Sequence, residues 1–262
     1  MLALRDVTIR FGGLAALSRA SLNVASGQIH SIIGPNGAGK TTLFNAITSV
    51  VQLSGGSIRL RGERIDGLAP YLVARRGIAR TYQNIRLFAN MTVLDNILVG
   101  REAHPSWSSG VLGALLRTRA ARRRDDEIHE HAFSLLDNVG LTSRAGDLAR
   151  TLSYGDQRRL EIARALAADP KLLLLDEPAA GMNAQETSRL ISFIGSIRER
   201  YGLTILLIEH QMQLVMGISQ CITVLEYGQK IAEGTPEEIR RNPDVIRAYL
   251  GSRVAGRHVG VI

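Results

Sequence analysis

One stretch constrains this chain more than any other. Gly34-Pro35-Asn36-Gly37-Ala38-Gly39-Lys40-Thr41 fits G-x-x-x-x-G-K-[ST], the pattern of a phosphate-binding loop. Gln28-Ile29-His30-Ser31-Ile32-Ile33 before it is a short apolar run suited to a buried strand. Thr42-Leu43-Phe44-Asn45-Ala46-Ile47 after it reads as the first turns of a helix. Strand, glycine loop and helix together give the pattern its physical meaning. Glycines at 34, 37 and 39 permit backbone angles that a Cβ forbids, so successive N–H groups can turn inward on phosphate oxygens. The helix aims its partial positive charge at the same place. Lys40 is then expected to reach the β- and γ-phosphates and the Thr41 hydroxyl to ligate Mg²⁺, an ion that keeps several waters and takes few protein ligands. The expectation is a nucleoside triphosphate site.

A second stretch supplies carboxylates. Lys171-Leu172-Leu173-Leu174-Leu175-Asp176-Glu177-Pro178 is an apolar strand that ends in two acids. Ligands of open α/β sheets sit beyond the carboxyl ends of strands, which puts Asp176 where it can hold the Mg²⁺ shell and Glu177 where it can activate a water. A positioned general base contributes about 10²–10⁴ in rate. Upstream, Leu152-Ser153-Tyr154-Gly155-Asp156-Gln157 opens a helix, with Ser153 as its N-cap and Gly155 leaving room for a phosphate at the helix end. The P-loop already supplies donors for one phosphate chain. A second phosphate-ready helix end therefore calls for another subunit's nucleotide, or for none.

Composition excludes several classes. With 45% hydrophobic and 21% charged residues the chain is globular in character, and 262 residues can bury a large core. No run of 18 apolar residues occurs, so no spanning helix is expected, and the first residues lack the long apolar segment of a signal peptide. Cys221 is the single cysteine, which excludes an intrachain disulfide and suggests a reducing compartment; it is expected to be a buried, inert thiol. The net charge of +8 fits acidic partners in general: nucleotide, anionic lipid headgroups or nucleic acid.

Along the chain, residues 2–10 alternate as a half-buried antiparallel strand, 20–24 and 57–61 read as further strands, and 68–76 as a short helix ended by Gly77. Phe11, just before a turn, either belongs to the core or stacks on an adenine. Thr92 is expected to cap a helix over 93–99. Pro105 to Gly110 is loop-like, Val111 to Leu116 is apolar, and Arg117, Arg119, Arg122, Arg123 and Arg124 run into Asp125, Asp126 and Glu127, as on a solvated helix with internal charge pairs. An anion site on this cluster, such as a membrane headgroup, is the rival reading. His129 and His131 lie two apart on a helix and so face different sides, a poor metal pair. Asn183 with Glu186, and Thr235-Pro236-Glu237-Glu238, are capping boxes. Strands are expected at 203–208 and near 221–232, then a helix 243–250 stopped at Gly251 and a frayed tail, 252–262. Strands alternating with helices imply an α/β fold with a mainly parallel sheet and an antiparallel N-terminal part.

Taken together, these motifs resemble the ATP-binding cassette (ABC) ATPases. Residues 34–41 match the Walker A motif, Gln83 the Q-loop, and 152–157 the signature. Residues 172–177 match Walker B, Gly181-Met182-Asn183 the D-loop, and His210 the switch histidine. Arg80-Thr81-Tyr82-Gln83, Ser153-Tyr154-Gly155, Pro178-Ala179-Ala180-Gly181-Met182-Asn183 and Arg247-Ala248-Tyr249-Leu250-Gly251 resemble, more narrowly, the ATPase subunits of branched-chain amino acid importers. The likeness covers nearly all of 4–251.

The resemblance implies a single cassette over 1–251, with a RecA-like core and a helical subdomain about 84–165. It implies ATP and Mg²⁺ as cofactors, with Thr41, Asp176 and Gln83 around the metal. Glu177, His210 and Gln83 would act in hydrolysis. Nucleotide would be bound by Phe11, Gly34, Pro35, Asn36, Gly37, Ala38, Gly39, Lys40, Thr41 and Thr42. Ser153, Gly155 and Asp156 of a facing cassette, in a homo- or heterodimer, would complete its binding. Integral membrane permease subunits and an external substrate-binding protein are the implied partners, at the cytoplasmic face of the membrane, with no nucleic acid expected. Tyr154, Asn183 and Gln211 depart from the commonest ABC residues, yet none removes a group needed for hydrolysis. The alternatives are a soluble ABC ATPase acting on nucleic acid or the ribosome, and a non-hydrolysing regulatory subunit. Related cassettes serve urea, amides or other amino acids.

Overall fold

The computed structural model describes residues 1–102 and 119–256. The loop expected at 105–110, the apolar stretch after it and Arg117 lie outside the described residues, as does 257–262. The chain forms two compact units, Met1–Val73 with Leu174–Ile262, and Ala74–Leu173.

In the first unit, β1 (Leu2–Phe11), β2 (Leu14–Val24), β4 (Gly55–Leu60) and β5 (Glu63–Arg64) make an antiparallel sheet in the order β2-β1-β4-β5. Its buried face is Leu2, Leu4, Val7 and Ile9, a spacing that skips one residue in the middle. A bulge accounts for the skip. The β1–β2 register shifts between Leu4 and Val7, and Asp6 takes a left-handed φ of 49°, so the apolar face stays inward on both sides. β2 begins well before the expected position because the same device, at Arg19 (φ 49°), hides its alternation.

The second sheet of this unit runs β10-β9-β3-β8-β7, built from β3 (Ile29–Ile33), β7 (Leu172–Asp176), β8 (Thr204–Ile208), β9 (Cys221–Glu226) and β10 (Gln229–Gly234). β3 pairs in parallel with β8 and β9, and β10 adds antiparallel to β9. Every residue of β3, β7 and β8 is buried, which is why these strands read as continuous apolar runs rather than alternating ones. α1 (Lys40–Ile47), α6 (Ala184–Tyr201), α7 (Met212–Ile218), α8 (Pro236–Arg241) and α9 (Pro243–Gly256) complete the unit, and the short α2 (Pro70–Arg75) begins in it and ends in the second. Both capping boxes form: Asn183 accepts from the N–H groups of Gln185 and Glu186, and Thr235 from that of Glu238. α9 corrects one expectation. It does not stop at Gly251 but continues to Gly256.

The second unit holds β6 (Ile78–Arg80), α3 (Val93–Glu102), α4 (Arg119–Asn138) and α5 (Tyr154–Leu166). β6 lies beside the start of β7, where the Gly77 carbonyl accepts from the N–H groups of Lys171 and Leu172. Thr92 caps α3 through Asp95, and the helix runs three residues beyond the expected end. α3 and α5 approach closely enough that a Cβ on Gly100 would stand 2.3 Å from the Arg164 carbonyl oxygen, so only glycine fits there. On α4, Ala132, Leu135 and Leu136 are buried, whereas Arg123, Asp125, Asp126 and Glu127 are exposed.

Candidate active site

The ends of three neighbouring strands of the first unit deliver the chemistry. β3 runs into the glycine loop, β7 into Asp176 and Glu177, and β8 into Glu209 and His210. The glycines at 34, 37 and 39 all take positive φ, at 149°, 79° and 97°. Gly34 is also steric: a Cβ there would lie 2.0 Å from the Leu225 carbonyl oxygen of β9. The loop is thus pressed onto the sheet before it turns. α1 follows with no side chain capping its first N–H groups, which leaves them for an anion.

Lys40 is 8% exposed, and its Nζ donates to the carbonyl oxygens of Gly34 (2.8 Å) and Pro35 (2.9 Å). Burial lowers the ammonium's pKa, while the carboxylates of Glu177 and Asp176 push it back up. Two backbone carbonyls thus hold the Lys40 Nζ over the loop. Ala38 is buried, Asn36, Gly37 and Thr41 are exposed, and Pro35, Gly39 and Thr42 are half-buried.

Asp176 is almost fully buried and Glu177 half-buried. Glu177 adopts a left-handed φ of 47°, rare for a residue with a side chain. Its N–H donates to the Ile208 carbonyl (2.9 Å) and its carbonyl accepts from Ala180 (3.1 Å), so the neighbouring strand end holds the strained peptide in place. Its Oε2 lies 3.7 Å from Nδ1 of His210, whose ring is largely exposed. Phe11 is half exposed at the end of β1 and is not part of the core.

Glu209, to which the sequence assigns no role, is fully buried. Oε1 accepts from the Ala179 N–H (2.8 Å), and Oε2 from those of His210 (3.0 Å) and Gln211 (3.1 Å). Gln211 adds a bond from Nε2 to the Ala179 carbonyl (2.8 Å). These bonds tie the segment after Glu177 to the one that carries His210. Glu209 could have been noticed as a charge closing an all-apolar strand, where only a bonded carboxylate is tolerated.

In the second unit, the Gln83 side chain is exposed. Ser153 caps α5 by accepting from the Asp156 N–H (3.2 Å), Gly155 has open space where a Cβ would stand, and Asp156 pairs with Arg159. Arg158 on the same helix donates to the carbonyl oxygen of Gln83 (2.8 Å), so the Gln83 backbone and the Ser153 end of α5 are joined.

A metal would meet hard oxygen donors here: the Thr41 hydroxyl and the Asp176 carboxylate. Among the described residues there is no group of three or more His, Cys, Asp or Glu side chains able to hold a metal ion. Also among the described residues, no helix is long and apolar enough to cross a membrane.

Residues 17–180 match the family described as ABC transporter. Residues 229–255 match the one described as branched-chain amino acid ATP-binding cassette transporter. Over 251 residues the chain is 50% identical to the high-affinity branched-chain amino acid transport ATP-binding protein BraF of Pseudomonas aeruginosa, covering 96% of this chain and 98% of that one. It is 49% identical, with the same coverage, to the corresponding protein LivG of Salmonella typhimurium. The ADP conformation of MJ1267, an ATP-binding cassette of an ABC transporter, has a TM-score of 0.83 at 30% identity, covering 96% of this chain and 98% of that one. The sequence motifs, the strand-end site and these likenesses agree: the chain belongs to the ATP-binding cassettes of ABC transporters, in their branched-chain amino acid transporter branch.

Proposed function

We propose that this cassette hydrolyses ATP to drive import of branched-chain or related amino acids through separate membrane subunits. The observation that carries the proposal is the strand-end cluster of Lys40, Asp176, Glu177 and His210, in a chain half identical to subunits named for that transport. The loop N–H groups and Lys40 would take the phosphates, with Lys40 exchanging two carbonyl oxygens for phosphate oxygens. Glu177 would draw the proton from the attacking water as the bond from the γ-phosphorus to the bridging oxygen breaks and ADP leaves. His210, 3.7 Å from that carboxylate, would contact the γ-phosphate. Thr41 and Asp176, with Gln83, would hold Mg²⁺, which when bound would neutralise charge on the β- and γ-phosphates. Phe11 would stack on the adenine.

Two cassettes facing head to tail would explain why a second helix start, at Ser153 and Gly155, stands ready for phosphate. The permease subunits and an external binding protein would supply the path and the substrate. The protein would then act at the cytoplasmic face of the membrane, as a peripheral subunit.

Glu177→Gln tests the core of this reading. ATP binding should persist while phosphate release falls by about 10² or more. Near-normal release would remove Glu177 from the role of base. Uptake of labelled leucine by vesicles holding the reconstituted complex tests the substrate, with urea and amides as competitors.

A further inference from the structure

Arg158 and Glu161 lie one turn apart on α5, and their side chains are 0% and 1% exposed. They pair at 2.8 Å, yet most of their hydrogen bonds go elsewhere. Arg158 Nη1 donates to the Tyr82 carbonyl (2.7 Å) and Nη2 to the Gln83 carbonyl (2.8 Å). Glu161 Oε1 accepts from the N–H groups of Tyr82 (3.4 Å) and Arg86 (3.1 Å). The planar guanidinium spans two successive carbonyls, which an ammonium cannot do. The Tyr82 ring is flanked by Arg80 and Arg86, with guanidinium carbons 5.0 and 4.1 Å from its centre, so the segment is gripped from its side-chain face as well.

A buried ion pair is a poor stabiliser, because desolvation offsets most of the attraction and an apolar pair of equal size often does as well. This pair directs its donors and acceptors at one short piece of backbone. That piece carries Gln83, and the helix doing the holding begins at Ser153.

We propose that Arg158 and Glu161 are positioning residues that lock the Gln83 segment to the start of α5, so that Gln83 and Ser153 move as one piece. The proposal rests on the role given to Gln83 above. The pair then governs turnover and its Mg²⁺ dependence, and not the binding of nucleotide, which belongs to the P-loop.

The test uses the purified full chain and three variants: Q83A, the double variant R158M/E161L, and R158K. ATPase rate is followed against Mg²⁺ at saturating ATP, beside nucleotide affinity and melting temperature. The double variant removes both charges and keeps the volume, so it is expected to melt and to bind ATP as the wild type does. Its kcat should fall roughly 10- to 100-fold, as for a misplaced positioning group, with the half-saturating Mg²⁺ concentration raised as in Q83A. Should the double variant not fold, R158K serves instead, keeping the charge but losing one carbonyl; lower kcat at unchanged ATP affinity supports the proposal. Wild-type kcat and Mg²⁺ dependence in the clamp variant, with Q83A impaired, overturns it. A Q83A protein indistinguishable from wild type overturns the role of Gln83, and the clamp's with it.

Discussion

His30 is expected to make the stability of this cassette sensitive to acid. It lies in the middle of β3 with no exposed surface, and its Nε2 is 2.8 Å from Thr223 Oγ1. That hydroxyl in turn lies 3.1 Å from Glu233 Oε2, which also accepts from Lys230. Thr223 donates to Glu233, so it accepts from His30, which fixes the proton on Nε2. Nδ1 is buried with no hydrogen-bond partner among the described residues, so a second proton there would go unpaired. Burial accordingly lowers the ring's pKa from 6.5 to about 4, with Glu233 opposing and Lys230 adding to the effect. Cys221, the register partner of His30 on β9, is half-buried rather than buried as expected, and desolvation raises its thiol pKa.

Above about pH 6.5 the ring is neutral whether the chain is folded or not. Between 6.5 and 4 only the unfolded chain binds the proton, so stability falls as pH falls. At about 1.4 kcal/mol per pH unit the full loss is about 3 kcal/mol, of which about 2 kcal/mol has gone by pH 5. Urea unfolding followed by circular dichroism at pH 7 and pH 5 measures this. His30→Gln, whose amide can still donate to Thr223, should lose about 2 kcal/mol less than wild type over that interval. Equal losses in the two proteins, or a His30 ring resonance titrating near its ordinary value, would refute the reasoning.

Three further perturbations test the site and its frame. Gly34→Ala puts a Cβ 2.0 Å from the Leu225 carbonyl at a φ of 149°, and should cost about 1–3 kcal/mol and abolish stabilisation by ATP in a thermal-shift assay. Asn183→Ala removes both bonds of the α6 cap and should cost about 1 kcal/mol, a fall in Tm of about 2–4 °C. Lys40→Ala should leave the fold intact but lose the gain that ligand confers on wild type, about 2.7 kcal/mol at a hundred times Kd.

Local codes carried most of what the sequence disclosed. A capping box needs only residues three apart, so Asn183 with Glu186 and Thr235 with Glu238 were legible without any tertiary information. The buried strands and the glycine loop were legible because β3, β7 and β8 are apolar at every position but a few. Boundaries set by backbone conformation were not. A left-handed Arg19 hid the start of β2. Gly202 ends α6 because it turns left-handed, at φ 58°, whereas Gly251 lies inside α9. A helical glycine costs only about 1 kcal/mol relative to alanine, too little to stop a helix that tertiary packing supports.

The residues to which the sequence assigns no role share one physical function. Glu161 in one unit and Glu209 in the other are buried carboxylates whose oxygens accept from backbone N–H groups. Those of Glu161 hold the segment that carries Gln83; those of Glu209 hold the peptides of Ala179 and His210. A carboxylate without water is tolerated only when its lone pairs are filled, so each of these acids fixes the backbone around it as a condition of being buried at all. The motif residues present reactive groups and can be recognised by type and spacing. The groups that hold their peptides can come from any nearby element, and only the folded chain brings them to the motif. Glu177 illustrates the consequence: its left-handed backbone is sustained by the Ile208 carbonyl one residue before Glu209, so the carboxylate proposed as the base is aimed by a strand that contributes nothing to its own motif.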